Sequence, residues 1–212
     1  MRFPSAFLAA GLLAGAASAL SAADYKVAQK VALGGEGGWD YLTVDAAARR
    51  LYVSRSTRVL VLDADTFKTV GAIEDTPGVH GIAIAADLGR GFTSNGRDNS
   101  ATMFELGSLK VLARIKTGTN PDALLYDAGT RRVFVFNGAS GDVTVIDAAS
   151  GTVAATIPVG GKLEFGVADG AGHVFVNVED KNEIVALDAR RLAVTAHWPL
   201  AHCTEPTGLA GR

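Results

Sequence analysis

Positive charge, sulfur and aromatic rings are all scarce in this chain, and each shortage removes a class of function. Cys203 is the only cysteine, so no internal disulfide, Cys-x-x-Cys pair or Cys-x-x-Cys-His haem attachment is available. Lys and Arg total 20 against 22 Asp and Glu, which gives no electrostatic attraction to a phosphate backbone. Aromatics make up 7%, too few for the stacking platforms of single-stranded nucleic-acid binders, so nucleic acid is not an expected partner. No pair among the 4 histidines has zinc-site spacing, and after Leu20 no run is long or apolar enough to span a bilayer.

What is present begins with a leader. Arg2 precedes an apolar run over residues 6–20, followed by Ser21, Ala22, Ala23 and the polar Asp24. A basic start, a short apolar centre and small residues before a polar one read as a signal peptide over residues 1–23, with an uncleaved anchor as the alternative. Export to the periplasm or the extracellular space is therefore expected, with no membrane span after cleavage. Loss of Arg2 leaves 19 basic against 22 acidic residues. In an exported protein a single thiol is unusual, so Cys203 is expected to be buried and inert or to have lost its partner.

The remainder is repetitive. Tyr52-Val53-Ser54-Arg55, Phe92-Thr93-Ser94-Asn95, Phe134-Val135-Phe136-Asn137 and Phe175-Val176-Asn177-Val178 follow one another at intervals of 40, 42 and 41 residues between the aromatics. Strand ends carrying an acid recur in step, at Leu62-Asp63, Phe104-Glu105, Ile146-Asp147 and Leu187-Asp188. Short β-favouring runs at a period of 40 to 45 residues predict an all-β fold, a β-propeller of four-stranded antiparallel blades. The 25 glycines suit the many tight turns this requires. Residues 24–36 read as an N-terminal strand (Tyr25 to Leu33) and linker. Blades follow at about 37–75, 76–118, 119–159 and 160–200, and 201–212 resembles the start of a fifth. Glu205-Pro206-Thr207-Gly208-Leu209-Ala210 matches the entry seen at Pro77-Gly78-Val79-His80-Gly81-Ile82-Ala83. A blade is apolar on both faces, so the expected product is an open arc with exposed sheet faces at both ends, marginally stable as a monomer.

At these residues the chain resembles the YVTN-type β-propeller repeat family of exported bacterial proteins. Tyr52-Val53-Ser54-Arg55 and its counterparts stand at the Tyr-Val-Thr-Asn signature, and Val143-Thr144-Val145-Ile146-Asp147-Ala148-Ala149-Ser150-Gly151 carries the element that follows it. The resemblance spans about residues 37–210. It implies a seven-bladed ring of which this chain would be a C-terminally truncated part, a fragment of a longer gene product. A genuine four-bladed protein with a short tail is the alternative. The family is mostly non-enzymatic, and no haem or copper ligand set from its structural relatives can be placed here.

Aligning the repeats puts Asp40, His80, Asp122 and Glu164 at equivalent inner-strand entries, with Thr207 next, so that they encircle one mouth of the central channel. Three carboxylates and an imidazole could hold a hard cation such as Ca²⁺. Equally, short polar side chains at a wet mouth need no ligand. The second-strand ends add Arg55, Asn95, Arg97, Asn137, Asn177 and Glu179, donors suited to a carboxylate or sugar. Asn95-Gly96 and Asn137-Gly138 also read as left-handed turns, and Arg97 and Glu179 as solvated loop charges. Trp39 and Trp198 are assigned to blade packing. Gly34-Gly35-Glu36-Gly37-Gly38 precedes a strand rather than a helix, so it is a linker and not a phosphate loop.

The leading reading is a non-catalytic binding or scaffold propeller for a protein or small ligand, without cofactor. The alternative is a lactonase-like or gluconolactonase-like hydrolase, in which channel-mouth carboxylates hold a divalent cation such as Ca²⁺ that activates water. Fold alone does not separate the two.

Overall fold

A computed structural model describes residues 25–211; the leader expected over residues 1–23 lies outside them. Four sheets of four strands make up the fold, each a simple antiparallel meander in chain order. Blade 1 holds β1 (Leu42–Asp45), β2 (Arg50–Arg55), β3 (Arg58–Asp63) and β4 (Thr69–Ile73). Blade 2 holds β5 (Val79–Ala85), β6 (Arg90–Asn95), β7 (Ser100–Glu105) and β8 (Val111–Lys116). Blade 3 holds β9 (Pro121–Asp127), β10 (Arg132–Asn137), β11 (Asp142–Asp147) and β12 (Val153–Pro158). Blade 4 holds β13 (Leu163–Ala168), β14 (His173–Val178), β15 (Glu183–Asp188) and β16 (Ala193–Pro199). The blades are those of the repeat, and the all-β propeller is confirmed.

The repeated acid at the end of each third strand has a local cause. Asp147 Oδ1 accepts hydrogen bonds from the Ala149 and Ser150 amides and from the Ser150 hydroxyl. Asp63 does the same with Asp65 and Thr66, and Asp188 with the amides of Arg190 and Arg191. Each carboxylate thereby closes the turn into the outer strand through the amides two and three residues on, with a Ser or Thr hydroxyl added at Asp63 and Asp147. Those bonds favour the charged form and hold all three carboxyls below the usual range.

Packing between blades explains the repeated aromatic. Phe92, Phe134 and Tyr52, at the centre of second strands, are fully buried. Phe134 lies in a core shared by blades 3 and 4, beside Val145, Val176 and Val185. Small residues make the fit possible: a Cβ on Gly91 would lie 2.1 Å from the Phe104 ring, and one on Gly166 would lie 2.4 Å from Phe136. Phe175, in the last blade, has no such neighbour. It is only half-buried and stacks on Trp198, with centroids 5.6 Å apart, and Trp198 itself remains half exposed.

The first sheet has one covered and one uncovered face. On β1, Thr43 Oγ1 donates to the Ile82 carbonyl of blade 2, while Leu42 and Val44 point the other way and are 59% and 61% exposed. Those two apolar side chains would be buried against a neighbouring blade.

Residues 25–36 form no strand, which corrects the outer strand expected from Tyr25 to Leu33. A strand exists only against a partner ladder, and every sheet is already bounded by the outer strand of its own repeat. Residues 201–211 also form no strand, yet they repeat a blade-entry turn. The Glu205 amide donates to Asn182 Oδ1 as the Asn120 amide donates to Asn99 Oδ1, both at 2.8 Å, and each donor residue precedes a buried proline. Cys203 is exposed, so the expectation of a buried, inert thiol does not hold. Among the described residues no helix is long and apolar enough to cross a membrane.

Candidate functional site

The inner strands begin on one face of the disc, and their first residues converge there. Asp40, His80 and Asp122 each offer a ligating atom, and those atoms lie within 4.8 Å of one another. His80 Nδ1 faces Asp40 Oδ2 at 2.5 Å. Asp122 is half-buried, and its carboxylate accepts no hydrogen bond among the described residues. Loss of hydration pushes the Asp122 carboxyl up, a shift that His80 opposes and Asp40 reinforces.

Two serines of the second strands fix these backbones. Ser54 Oγ accepts from the amides of Asp40 and Tyr41 at 3.1 and 2.8 Å. Ser94 Oγ accepts from the Gly81 amide at 2.9 Å and donates to the Asp122 carbonyl, tying the entries of blades 2 and 3 together. Gly96 leaves room for the imidazole, because a Cβ there would lie 2.8 Å from both His80 Nε2 and Asn120 Oδ1.

Glu164 reaches the same mouth from blade 4. Lys162 Nζ bridges it, at 3.0 Å, to Glu179. Burial, followed by a hydrogen bond shared with Glu179, pushes the Glu164 carboxyl up to about 7. That same shared bond and Lys162 hold Glu179 below the usual range. The two acids therefore act as one proton-sharing pair beside a lysine.

Next to this polar group, two aromatic rings meet. Tyr41 stacks on Phe165 with centroids 5.7 Å apart and planes 17° from parallel, a contact between the first repeat and the fourth. Burial, reinforced by the charges of Asp122, Asp40 and Glu164, holds the Tyr41 phenol in its protonated form. Asp40 and Tyr41 also wall a cleft with Glu164, Phe165 and Thr207. A second cleft of about 260 Å³ opens on the other side of Asp40 and His80, flanked by Trp39, Arg97 and Asn120.

Of the expected site residues, Asp40, His80, Asp122, Glu164 and Glu179 meet at the mouth. The three asparagines do not offer themselves to a ligand. Asn95 and Asn137 are fully buried at strand ends, neither with a left-handed backbone, which corrects both readings made of them. Asn95 Nδ2 donates to Ser100 and Thr102, and Asn137 Nδ2 to Asp142 and Thr144, pinning the hairpin inside each blade. Asn177 is 1% exposed and occupies the register of Ser94 rather than of Asn95, donating to the Gly208 carbonyl at 3.0 Å. Trp39, assigned to blade packing, is instead 73% exposed at the lip of the second cleft. Tyr41, Lys162 and the two serines were missed. A signal existed for the first: the residue after each entry is aromatic in blades 1 and 4 (Tyr41, Phe165) and small in blades 2 and 3 (Gly81, Ala123).

No family model matches the chain, and no curated protein matches it. Among solved structures 1173 chains match, so the fold is common and does not by itself point to one activity. One of them is hydrazine synthase of Kuenenia stuttgartiensis, 16% identical with a TM-score of 0.69 over 82% of this chain and 53% of that one. This chain thus spans about half the length of that protein. At such identity the likeness establishes the propeller fold and nothing about chemistry.

Proposed function

We propose that this chain is an exported, non-catalytic binding propeller of the YVTN type, whose acidic channel mouth captures a positively charged group on its ligand or partner. The observation that carries this reading is the convergence of Asp40, Asp122, Glu164 and Glu179 on one mouth, with Lys162 ion-paired to the two glutamates. Low-dielectric walls around clustered carboxylates focus a negative potential into the opening. The exposed Trp39 indole beside Asp40 offers a π face suited to an organic cation. The leader-like composition of residues 1–23 supports export, and the Tyr52 and Phe134 repeat elements support the family.

Titration calorimetry with a linear diamine and its uncharged diol tests the reading. The diamine should bind, the diol should not, and added salt should weaken binding. Asp122→Asn and Glu164→Gln should each lower affinity by about tenfold, the value of one charge-assisted hydrogen bond. Equal binding of diamine and diol, or parental affinity in both variants, would refute it. The alternative of a metal-assisted lactonase gains support only from the grouping of Asp40, His80 and Asp122. Chelator-sensitive lactone hydrolysis lost in Asp122→Ala would favour it.

A further inference from the structure

We propose that the mouth is a binding site for a single zinc-class divalent transition-metal ion, held by Asp40, His80 and Asp122. The inference rests on the reading above in one respect, that this mouth attracts positive charge, and it names the occupant.

The donor set decides the class of ion. Ca²⁺ takes six to eight oxygens, and Mg²⁺ prefers oxygen ligands with several waters. An imidazole nitrogen with two carboxylates suits Zn²⁺ and its first-row neighbours, and three protein ligands leave coordination positions open toward the channel. Two carboxylates also neutralise the charge of a divalent ion.

Geometry is close to what such an ion needs. Zinc bonds of about 2.0–2.2 Å place tetrahedral ligand atoms roughly 3.3 Å apart. The three candidate atoms lie within 4.8 Å of one another, so shifts of about 1 to 1.5 Å complete the site. Side-chain torsions can supply these, because the backbones are fixed from behind by Ser54 and Ser94. Asp122, half-buried beside the imidazole, accepts no hydrogen bond from a protein donor among the described residues, which leaves its carboxylate oxygens free to take a cation.

Two other histidine–carboxylate pairs provide internal controls. His173 faces Asp169 at 2.7 Å and His197 faces Glu183 at 3.1 Å, but neither lies within a three-residue ligand group. The full chain, stripped with chelator, should take up one Zn²⁺ by calorimetry and show the visible ligand-field bands of Co²⁺ when cobalt replaces it. His80→Ala and Asp122→Asn should each weaken Zn²⁺ binding by at least about tenfold, since loss of even an outer partner costs 10- to 100-fold. His173→Ala should bind like the parent, and Ca²⁺ should not compete. Circular dichroism melts of each variant separate loss of a ligand from loss of fold. Absence of uptake by folded parent protein, parental affinity in both ligand variants, or equal loss in His173→Ala would overturn the assignment. Diamine binding that persists without metal uptake would remove the ion and leave the acidic mouth standing, whereas loss of both would remove both.

Discussion

Blade 3 contains a polar atom that blade 2 shows how to satisfy. In blade 2 the Thr93 hydroxyl donates to Asn95 Oδ1 at 2.8 Å, while the amide nitrogen is held by Ser100 and Thr102. Blade 3 repeats the arrangement with Asn137, Asp142 and Thr144, but Val135 stands at the position of Thr93. Asn137 Oδ1 is accordingly buried with no hydrogen-bond partner. An unsatisfied buried acceptor costs about 1–3 kcal/mol. Val135→Thr keeps the side-chain shape and exchanges one methyl for a hydroxyl, losing about 0.8 kcal/mol of apolar burial while supplying the missing donor. The net expectation is a gain of about 0.5–1 kcal/mol, or roughly 2–4 °C in Tm per kcal/mol for a chain of this length. The reverse change, Thr93→Val, should destabilise by about 0.5–1 kcal/mol, because it orphans Asn95 in the same way and regains only the burial of one methyl. Urea and thermal melts measure both. Val145→Thr serves as control, since Val145 is fully buried and no orphaned acceptor belongs to its strand. If Val135→Thr lowers stability as much as Val145→Thr, the equivalence drawn between the two blades is wrong.

Other expectations follow from the mouth and the packing. Glu164 binds its proton more tightly folded than unfolded, so its contribution to stability is complete below about pH 4.5 and is lost as pH rises through about 7. In chelator-treated protein the Tm should fall across that window, and Glu164→Gln should flatten the fall; an unchanged slope would refute the assignment. Gly96→Ala should displace His80 and Asn120, weakening diamine and metal binding severalfold with little change in the far-ultraviolet circular dichroism spectrum. Phe92→Ala should cost about 3–5 kcal/mol by urea melt, whereas the half-buried Phe175→Ala should cost clearly less; equal costs would deny that the end blade lacks a neighbour. Leu42→Lys with Val44→Lys should reduce self-association in sedimentation experiments, because these are exposed side chains of an unpaired sheet face.

The repeat, read from Tyr52, Phe92, Phe134 and Phe175, was sufficient to determine strand order, blade limits and the ring of entry residues. Local rules suffice for these, since each strand pairs with the next along the chain and the acid at each third-strand end closes its own turn. Equivalence between repeats also brought Asp40, His80 and Asp122 together, because equivalent positions in stacked copies point at one axis. Direction within a strand was not legible in the same way. Asn177 already shares the register of Ser94 in the aromatic alignment, but that its side chain is buried and donates to the Gly208 carbonyl is fixed only by what lies beside the strand. The burial of Asn95 and Asn137, the exposure of Trp39 and the Tyr41–Phe165 stack depend on what lies opposite each side chain in another blade. Short-range chemistry thus chose the unit and its repetition, whereas the pKa of Glu164, the bare carboxylate of Asp122 and the room left by Gly96 arise only where four separate units meet.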